Sequence, residues 1–143
     1  MREKILRLLG LMRRANALQT GENNTGEAVR AGKAKLLLLS SDASDNARKR
    51  AESFAGGRSC LLLPLPFTKE ELGGALGYGP CAMAAVTELG FANALIKRLQ
   101  ELDGETYGAA AAEVARRFDK AERRRRETAA ERDKRNGKRR TNV

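Results

Sequence analysis

The chain has 143 residues, no histidine and a net charge of +10. This length is that of one domain with an appendage, and the positive charge favours a polyanionic partner, which is either a nucleic acid or an anionic membrane surface. The missing histidine excludes a Cys/His zinc site, and no apolar run reaches the roughly 18 residues that a membrane span requires.

The cysteines and the first residues indicate the compartment. Cys60 and Cys81 lie in or beside apolar runs, which favours buried thiols in a reducing compartment, although the sequence leaves a disulfide between them open. Residues 1–14 carry charges where a signal peptide requires an apolar core. We therefore expect a cytoplasmic protein that binds no membrane, no metal and no other cofactor.

The first third of the chain predicts two helices and a strand. An amphipathic helix covers residues 1–15, and its apolar face consists of Ile5, Leu8, Leu9 and Met12. Residues 17–19 are extended, and a second helix over residues 23–31 ends at Gly32. Residues 35–40 then form an apolar strand of the kind found at the centre of a sheet.

The middle of the chain repeats this alternation. Ser44 is a suitable N-cap for a helix that ends at residues 56–57 and turns Ala47, Ala51 and Phe54 inward. A second buried strand covers residues 59–63, before Pro64 and Pro66. Thr68 and Glu71 have the spacing of a capping box, which predicts a short helix that runs to Leu76.

A glycine-rich turn at residues 77–80 leads into a strand over residues 82–86. Thr87 is a suitable cap for the last core helix, whose expected inner face consists of Phe91, Ala94, Leu95, Leu99 and Leu102. Helices and strands thus alternate over residues 1–102. This alternation predicts the α/β class, as a three-layer α/β/α sandwich around a small mixed four-stranded sheet.

Residues 103–143 differ in composition and predict a basic helical extension. They hold 13 Lys/Arg and 8 Asp/Glu, a net +5, which equals the +5 that residues 1–102 reach with 15 and 10. Alanine, glutamate and arginine dominate, and these residues favour helix. Four acid–base pairs stand at i,i+4 spacing: Glu113–Arg117, Asp119–Arg123, Glu122–Arg126 and Glu131–Arg135. Residues 136–143 are expected to be disordered.

Two features of this extension suggest contacts. An apolar seam could dock on a protein partner or on a second copy; it consists of Tyr107, Ala111, Val114, Phe118 and Ala121. Beyond the seam stand Arg123, Arg124, Arg125 and Arg126. They are either a solvated helical face or a non-specific contact to phosphate, which the surplus of positive charge favours.

The candidate binding site begins at the polar loop before the second helix: Gly21, Glu22, Asn23, Asn24 and Thr25. A carboxamide carries a donor and an acceptor, so it can read the edge of a base, and the first helical N–H groups have no intrahelical acceptor. A simple N-cap would also explain this composition. We expect a second loop at the same edge of the sandwich: Gly77, Tyr78, Gly79, Pro80 and Cys81.

The sequence that contains these two loops resembles the ribosomal-protein superfamily that binds kink-turn RNA, the "L seven Ae" and "L thirty e" group. The likeness covers about residues 3–100 and is carried by the stretches 21–38, 72–77, 84–87 and 90–92. Residues 41–44 and 90–93 are similar to stretches of its small bacterial YlxQ-type branch. The resemblance implies the same sandwich, and it implies RNA binding.

In that superfamily the motif Gly-X-Asn-Glu-X-X-Lys grips a kink-turn, a sharp RNA bend with tandem sheared G·A pairs. The resemblance places its glycine on Gly21, its asparagine on Asn23 and its glutamate on Asn24, which Thr25 follows as in bacterial members. Glu27 stands in place of the lysine, and Ala31 stands where arginine is common. A carboxylate there opposes phosphate, and Arg30 and Lys33 are adjacent cations that can compensate.

The sequence therefore predicts a non-catalytic protein that binds structured RNA. The resemblance implies a kink-turn-like RNA, either ribosomal or otherwise associated with translation, and no small-molecule substrate. The alternative is a protein-interaction adaptor whose tail docks on a partner and which has only non-specific RNA affinity. An enzyme is disfavoured because residues 73–79 lack the Gly-Lys-Ser/Thr ending of a P-loop, and Asp42 and Glu88 have no histidine partner.

Overall fold

A computed structural model of the chain describes residues 1–56 and 60–141, of which the last four are described without their side chains. The secondary structure follows the predicted alternation. The elements are α1 (Arg2–Arg14), β1 (Leu18–Thr20), α2 (Glu22–Arg30), β2 (Leu36–Leu39), α3 (Asp45–Ala55), β3 (Leu61–Pro64), α4 (Lys69–Leu76), β4 (Met83–Val86), α5 (Leu89–Leu102) and α6 (Gly104–Thr141).

The four strands form one mixed sheet in the order β1-β4-β2-β3. Strand β3 runs parallel to β2, whereas β4 runs antiparallel to both β1 and β2. Strand β2 is buried along its whole length, as its four leucines predict. The mixed four-stranded sheet and the α/β class are therefore confirmed.

Alternate residues of β2 show the two covered faces of the sheet. Leu36 and Leu38 belong to a core cluster with residues of α1, α4, α5 and α6. Leu37 packs with Ala28 and Val29 of α2, and Leu39 packs with Ala51 of α3. Because successive side chains of a strand point to opposite faces, helices cover both sides, and the predicted α/β/α sandwich is confirmed.

Strand β3 is less buried than predicted. It lies at the edge of the sheet, and only Leu63 of its four residues is fully buried. Pro64 is its last residue, a position that proline tolerates at a sheet edge. The predicted start of this strand at residue 59 lies outside the described residues.

For α5, the predicted cap is wrong and the predicted inner face is confirmed in part. The N-cap is Glu88, without a side-chain cap, because the N–H of Thr87 donates to the carbonyl of Ala17 and keeps Thr87 extended. Leu95 and Leu99 are fully buried as predicted, whereas Phe91, Ala94 and Leu102 are only partly buried. Ala92 and Ile96 are fully buried in addition. The buried face differs because α6 packs along α5.

Local caps at other helices agree with the sequence. The side chain of Ser44 accepts a hydrogen bond from the N–H of Ala47. Thr68 and Glu71 form both bonds of the capping box at the start of α4. These bonds satisfy helical N–H groups that have no acceptor within the helix.

Helix α6 uses the apolar seam inside its own chain. Tyr107, Ala111 and Val114 are buried in the main core cluster, and the Tyr107 hydroxyl donates to the carbonyl of Pro64. Phe118 and Ala121, farther along the seam, are half-buried. The first part of the extension therefore completes the core on one side of the sheet.

The rest of α6 continues to Thr141, beyond residue 136, where the sequence predicts disorder to begin. Residues 104–141 contain no proline and are rich in helix-forming residues, which accounts for the longer helix. Residues 142–143 lie outside the described part of the chain.

Two of the predicted ion pairs of α6 form, Glu113–Arg117 at 2.9 Å and Glu131–Arg135 at 3.9 Å. Glu122 pairs with Arg125 at 3.2 Å, one residue nearer than the predicted partner Arg126. The predicted pair Asp119–Arg123 does not form among the residues that the structure describes. Both cysteines are buried, and they do not form a disulfide. Of the described helices, none combines the length and the apolar character of a membrane span.

Candidate nucleic-acid interface

Gly21 connects the amino end of α2 to the sheet. Its backbone has φ 91° and ψ 160°, a conformation that is essentially restricted to glycine. Its N–H donates to the carbonyl of Met83 in β4 at 3.0 Å. The N–H of Gly21, one of the predicted site residues, is therefore not available to a ligand, whereas the amides of Glu22, Asn23 and Asn24 stand in the first turn, without an acceptor within the helix.

The two asparagines of this turn are exposed. The Nδ2 of Asn24 donates to the carbonyl of Thr20 at 3.0 Å, which orients the carboxamide and leaves its Oδ1 as an acceptor for a ligand. Thr25 is 0% exposed. The assignment of Thr25 to the binding site is therefore wrong for its side chain, because this side of α2 faces the core.

The second predicted loop is shaped by close backbone packing. Helix α4 ends at Gly77, which has a left-handed φ of 78°. A Cβ on Gly73 would lie 2.2 Å from the carbonyl oxygen of Gly79, so only glycine fits at residue 73 when the loop takes this path. The loop thus returns tightly over its own helix before β4 begins.

Tyr78 projects from this loop and is 53% exposed. The guanidinium of Arg13, in the last turn of α1, lies 3.9 Å from the centre of the Tyr78 ring. A cation over an aromatic face is attracted to it and limits the motion of both side chains. Arg13 was not predicted as a site residue, because its position in α1 gives no sign of which loop it meets.

A first cleft, of about 570 Å³, joins the two loops. Its lining includes Gly21 and Glu22 from one loop and residues 78–83 from the other, with Ser44, Asn46 and Ala47 of the α3 region. The predicted proximity of the two loops is therefore present in the fold. It arises because β4 lies beside β1, so that the chain before β4 meets the chain after β1.

Charge and reactivity in the first cleft are low. The carboxylate of Glu22 pairs with Arg50 of α3 at 3.7 Å. The Cys81 thiol donates to the carbonyl of Met83 at 3.3 Å, and burial raises the pKa of this thiol. The protonated thiol is a poor nucleophile, since the thiolate is the reactive form.

A second cleft, also of about 570 Å³, lies on another side of α2. It is lined by Asn16, Gln19, Asn24, Glu27, Ala28, Ala31, Gly32, Lys33, Lys35 and Thr87. Asn24 therefore faces the second cleft, and Asn23 lines neither of the two. The predicted site is thus divided between two neighbouring surfaces of the same helix.

Of the two cations predicted to compensate for Glu27, only one lines the second cleft. Lys33 and Lys35 line the second cleft together with Glu27. Arg30 does not line it, and its guanidinium lies beside Gly26, where a Cβ would stand 3.2 Å from Nη1. Lys35 was not predicted as a site residue, because residues 35–40 have the pattern of the central strand.

The remaining candidate residues either have structural roles or lie away from the first cleft. The carboxylate of Asp42 accepts from the N–H of Lys69 at 2.8 Å, and this bond lowers the pKa of Asp42. Asp42 therefore caps the region where α4 begins. The arginines at residues 123–126 are exposed on α6, away from the first cleft.

Comparison with known proteins gives relatives over most of the chain. No protein-family model matches it. The RNA-binding protein YlxQ of Bacillus subtilis (strain 168) is 38% identical over 96 residues, which are 64% of this chain and 91% of that protein. A solved protein of unknown function from Bacillus halodurans C is 34% identical, with a TM-score of 0.60 over 64% of this chain and 92% of that one. The 15.5kD RNA binding protein of Giardia lamblia shares the fold, with a TM-score of 0.53 and 21% identity over 73% of this chain and 86% of its own.

Proposed function

The chain belongs to the L seven Ae-like RNA-binding family, in the branch of the YlxQ proteins, and we propose that it binds a structured RNA of the kink-turn kind without catalysing a reaction. The observation that supports this most is the first cleft, where the amino end of α2 meets the loop of Tyr78. The proposal includes a cytoplasmic location and a ribosomal or other translation-associated RNA.

The surfaces on the two sides of α2 would make different contacts with the RNA. The Oδ1 of Asn24 would accept from a base, because its Nδ2 is already bonded to Thr20. Asn23, exposed on the same turn, would offer both its donor and its acceptor. Tyr78 would pack on an unstacked nucleotide at the first cleft, since RNA readers use aromatic faces for splayed bases.

Electrostatics would supply the remaining affinity. Lys33 and Lys35 face the same cleft as Glu27, so the local charge of these three side chains is +1. The carboxylate would weaken phosphate binding, whereas the two lysines oppose that effect. This arrangement supports RNA binding despite the acid in place of the motif's lysine.

The proposal assigns RNA recognition to residues 1–102 and treats residues 103–143 as a basic extension. The adaptor alternative depended on an apolar seam free to receive a partner. Tyr107, Ala111 and Val114 of that seam are buried in the core of the same chain. No observation therefore favours a partner helix at this position.

Fluorescence anisotropy with two short labelled RNAs would test the proposal. The first contains tandem sheared G·A pairs at a kink, and the second replaces them by Watson–Crick pairs. We expect tighter binding of the first. Asn23→Ala should weaken it by about 1–3 kcal/mol, which is roughly 5- to 150-fold, if a bidentate contact is lost. Asn24→Ala removes a single acceptor and should weaken it by about 0.5–1.5 kcal/mol, which is roughly 2- to 13-fold.

Asn136→Ala is a matched control, because Asn136 is an exposed asparagine on α6, far along the chain from both clefts. It should leave the affinity unchanged. Equal affinity of the wild-type protein for both RNAs would refute the kink-turn assignment. Failure to bind either RNA would refute RNA binding by this site.

A further inference from the structure

The second cleft continues beyond α2. A third cleft of about 270 Å³ lies between the loop after α2 and helix α6, and it shares Gly32 and Lys35 with the second cleft. Its α6 side includes Lys120 and Arg124. Because the two clefts have lining residues in common, they are adjacent on the surface and form a row that begins at Asn24.

This row of adjacent clefts extends along α6. A groove of about 390 Å³ shares Ala121 and Arg124 with the third cleft and continues to Arg132. Five of the cations that line the path are named here the basic track: Lys33, Lys35, Lys120, Arg124 and Arg132. The track thus connects the candidate site on α2 with the extension.

The charges of the basic track are available to a ligand. Within residues 1–56 and 60–137, none of its five cations forms an ion pair with a carboxylate. Two further arginines on the path differ, since Arg117 pairs with Glu113 and Arg125 pairs with Glu122. Of the described residues that line the path, Glu27 alone is acidic.

The dimensions of the track suit a repeating polyanion. From Lys120 to Arg132 the helix rises about 18 Å, at 1.5 Å per residue. Along the axis of double-stranded DNA the phosphates of one strand recur about every 3.4 Å, so a segment of this length parallel to a duplex axis spans about five of them. A protein partner would need apolar anchors, and among the described residues the large exposed apolar side chains, Met1, Leu11 and Tyr78, do not line the track.

We propose that the basic track binds the phosphate backbone of a helical RNA arm that extends from the RNA bound at the amino end of α2. The inference rests on the proposed function and adds a second contact with a defined face of α6. At 100° per residue, Arg123 and Arg126 stand about 100° and 160° from Arg124 around the helix. They point away from the arm, so only one face of α6 would contact the RNA.

Two double variants with equal loss of charge would test this. Lys120→Gln with Arg124→Gln removes two cations of the track. Arg123→Gln with Arg126→Gln removes two cations from other faces of the same segment. Glutamine has a helix propensity close to those of lysine and arginine, and far-UV circular dichroism of the full chain would verify that the helix content is unchanged.

Each protein would be titrated with the short kinked RNA and with two longer RNAs, in which one or the other arm is extended by about one helical turn. In the wild-type protein, extension of one arm should raise the affinity at least tenfold and make the dependence of log affinity on log salt steeper. The track variant should lose most of this gain, and its slope should fall by about 2, at about 0.9 for each lost phosphate contact. The control variant should keep both the gain and the slope.

Either of two results would overturn the inference: no gain from either extended arm in the wild-type protein, or an equal loss of slope in both double variants. The second result would mean that α6 acts only through its total charge. Failure of the proposed function is a separate observation, because it appears with the short RNAs alone, as an absence of preference for the kinked form.

Discussion

Substitution of Gly73 by alanine tests whether backbone packing between α4 and the Tyr78 loop builds the first cleft. The added Cβ would lie 2.2 Å from the oxygen and 2.7 Å from the carbon of the Gly79 carbonyl. Carbon–oxygen contacts in proteins are ordinarily at least about 3.3 Å, so helix and loop must separate by about 1 Å. Because both groups are backbone, no rotamer change can relieve the clash.

We expect Gly73→Ala to lower the free energy of unfolding by about 1–3 kcal/mol, the usual cost of overpacking. Gly74 is the matched control, since it is the next residue of α4, is exposed, and has nothing within 4 Å of an added Cβ. Gly74→Ala should raise the free energy of unfolding by about 0.5–1 kcal/mol, as alanine favours helix over glycine. Adjacent, chemically identical substitutions should therefore have opposite signs.

Urea unfolding of the two variants, followed by circular dichroism, measures both changes. Equal stability of Gly73→Ala and Gly74→Ala would refute the packing argument. The same variants also test the site, because a displaced loop moves Tyr78 away from the cleft. Under the proposed function, the affinity of Gly73→Ala for the kinked RNA should fall while that of Gly74→Ala stays at the wild-type value; full affinity in Gly73→Ala would mean that the loop does not contact RNA.

Three further predictions concern α6. A chain that ends at residue 102 should be less stable than one that ends at residue 118 by about 3 kcal/mol or more, because it lacks the buried side chains of Tyr107 and Val114; equal melting temperatures would contradict this. Tyr107→Phe removes the hydrogen bond to the Pro64 carbonyl and should lower the free energy of unfolding in urea by about 0.5–1.5 kcal/mol. An unchanged free energy of unfolding would mean that α6 is not docked. Hydrogen bonds from Arg116 and then Arg117 lower the pKa of Glu113 to about 2, so its contribution to stability should be present above pH 4.5 and be lost as the pH falls towards 2. Glu113→Gln should flatten that part of the acid-unfolding curve, and an NMR titration of Glu113 with an ordinary pKa would refute the assignment.

Much of the architecture could be predicted because it depends on local sequence patterns. The four leucines of β2 specify a central strand, and Thr68 with Glu71 specifies the start of α4, since both signals depend only on residues a few positions apart. The edge position of β3 could not be read in this way. A leucine run has the same appearance in an edge strand as in a central one.

The candidate site shows the same division. The order of residues predicts that an exposed turn with two carboxamides begins α2 and that a glycine-rich loop precedes β4. Three features became visible only in the folded chain: Thr25 faces the core, Arg13 covers Tyr78, and the track from Lys35 continues onto α6. Helix and turn signals arise between near neighbours, whereas these contacts follow from the strand order β1-β4-β2-β3 and from the docking of α6 on α5, which join residues far apart in the chain.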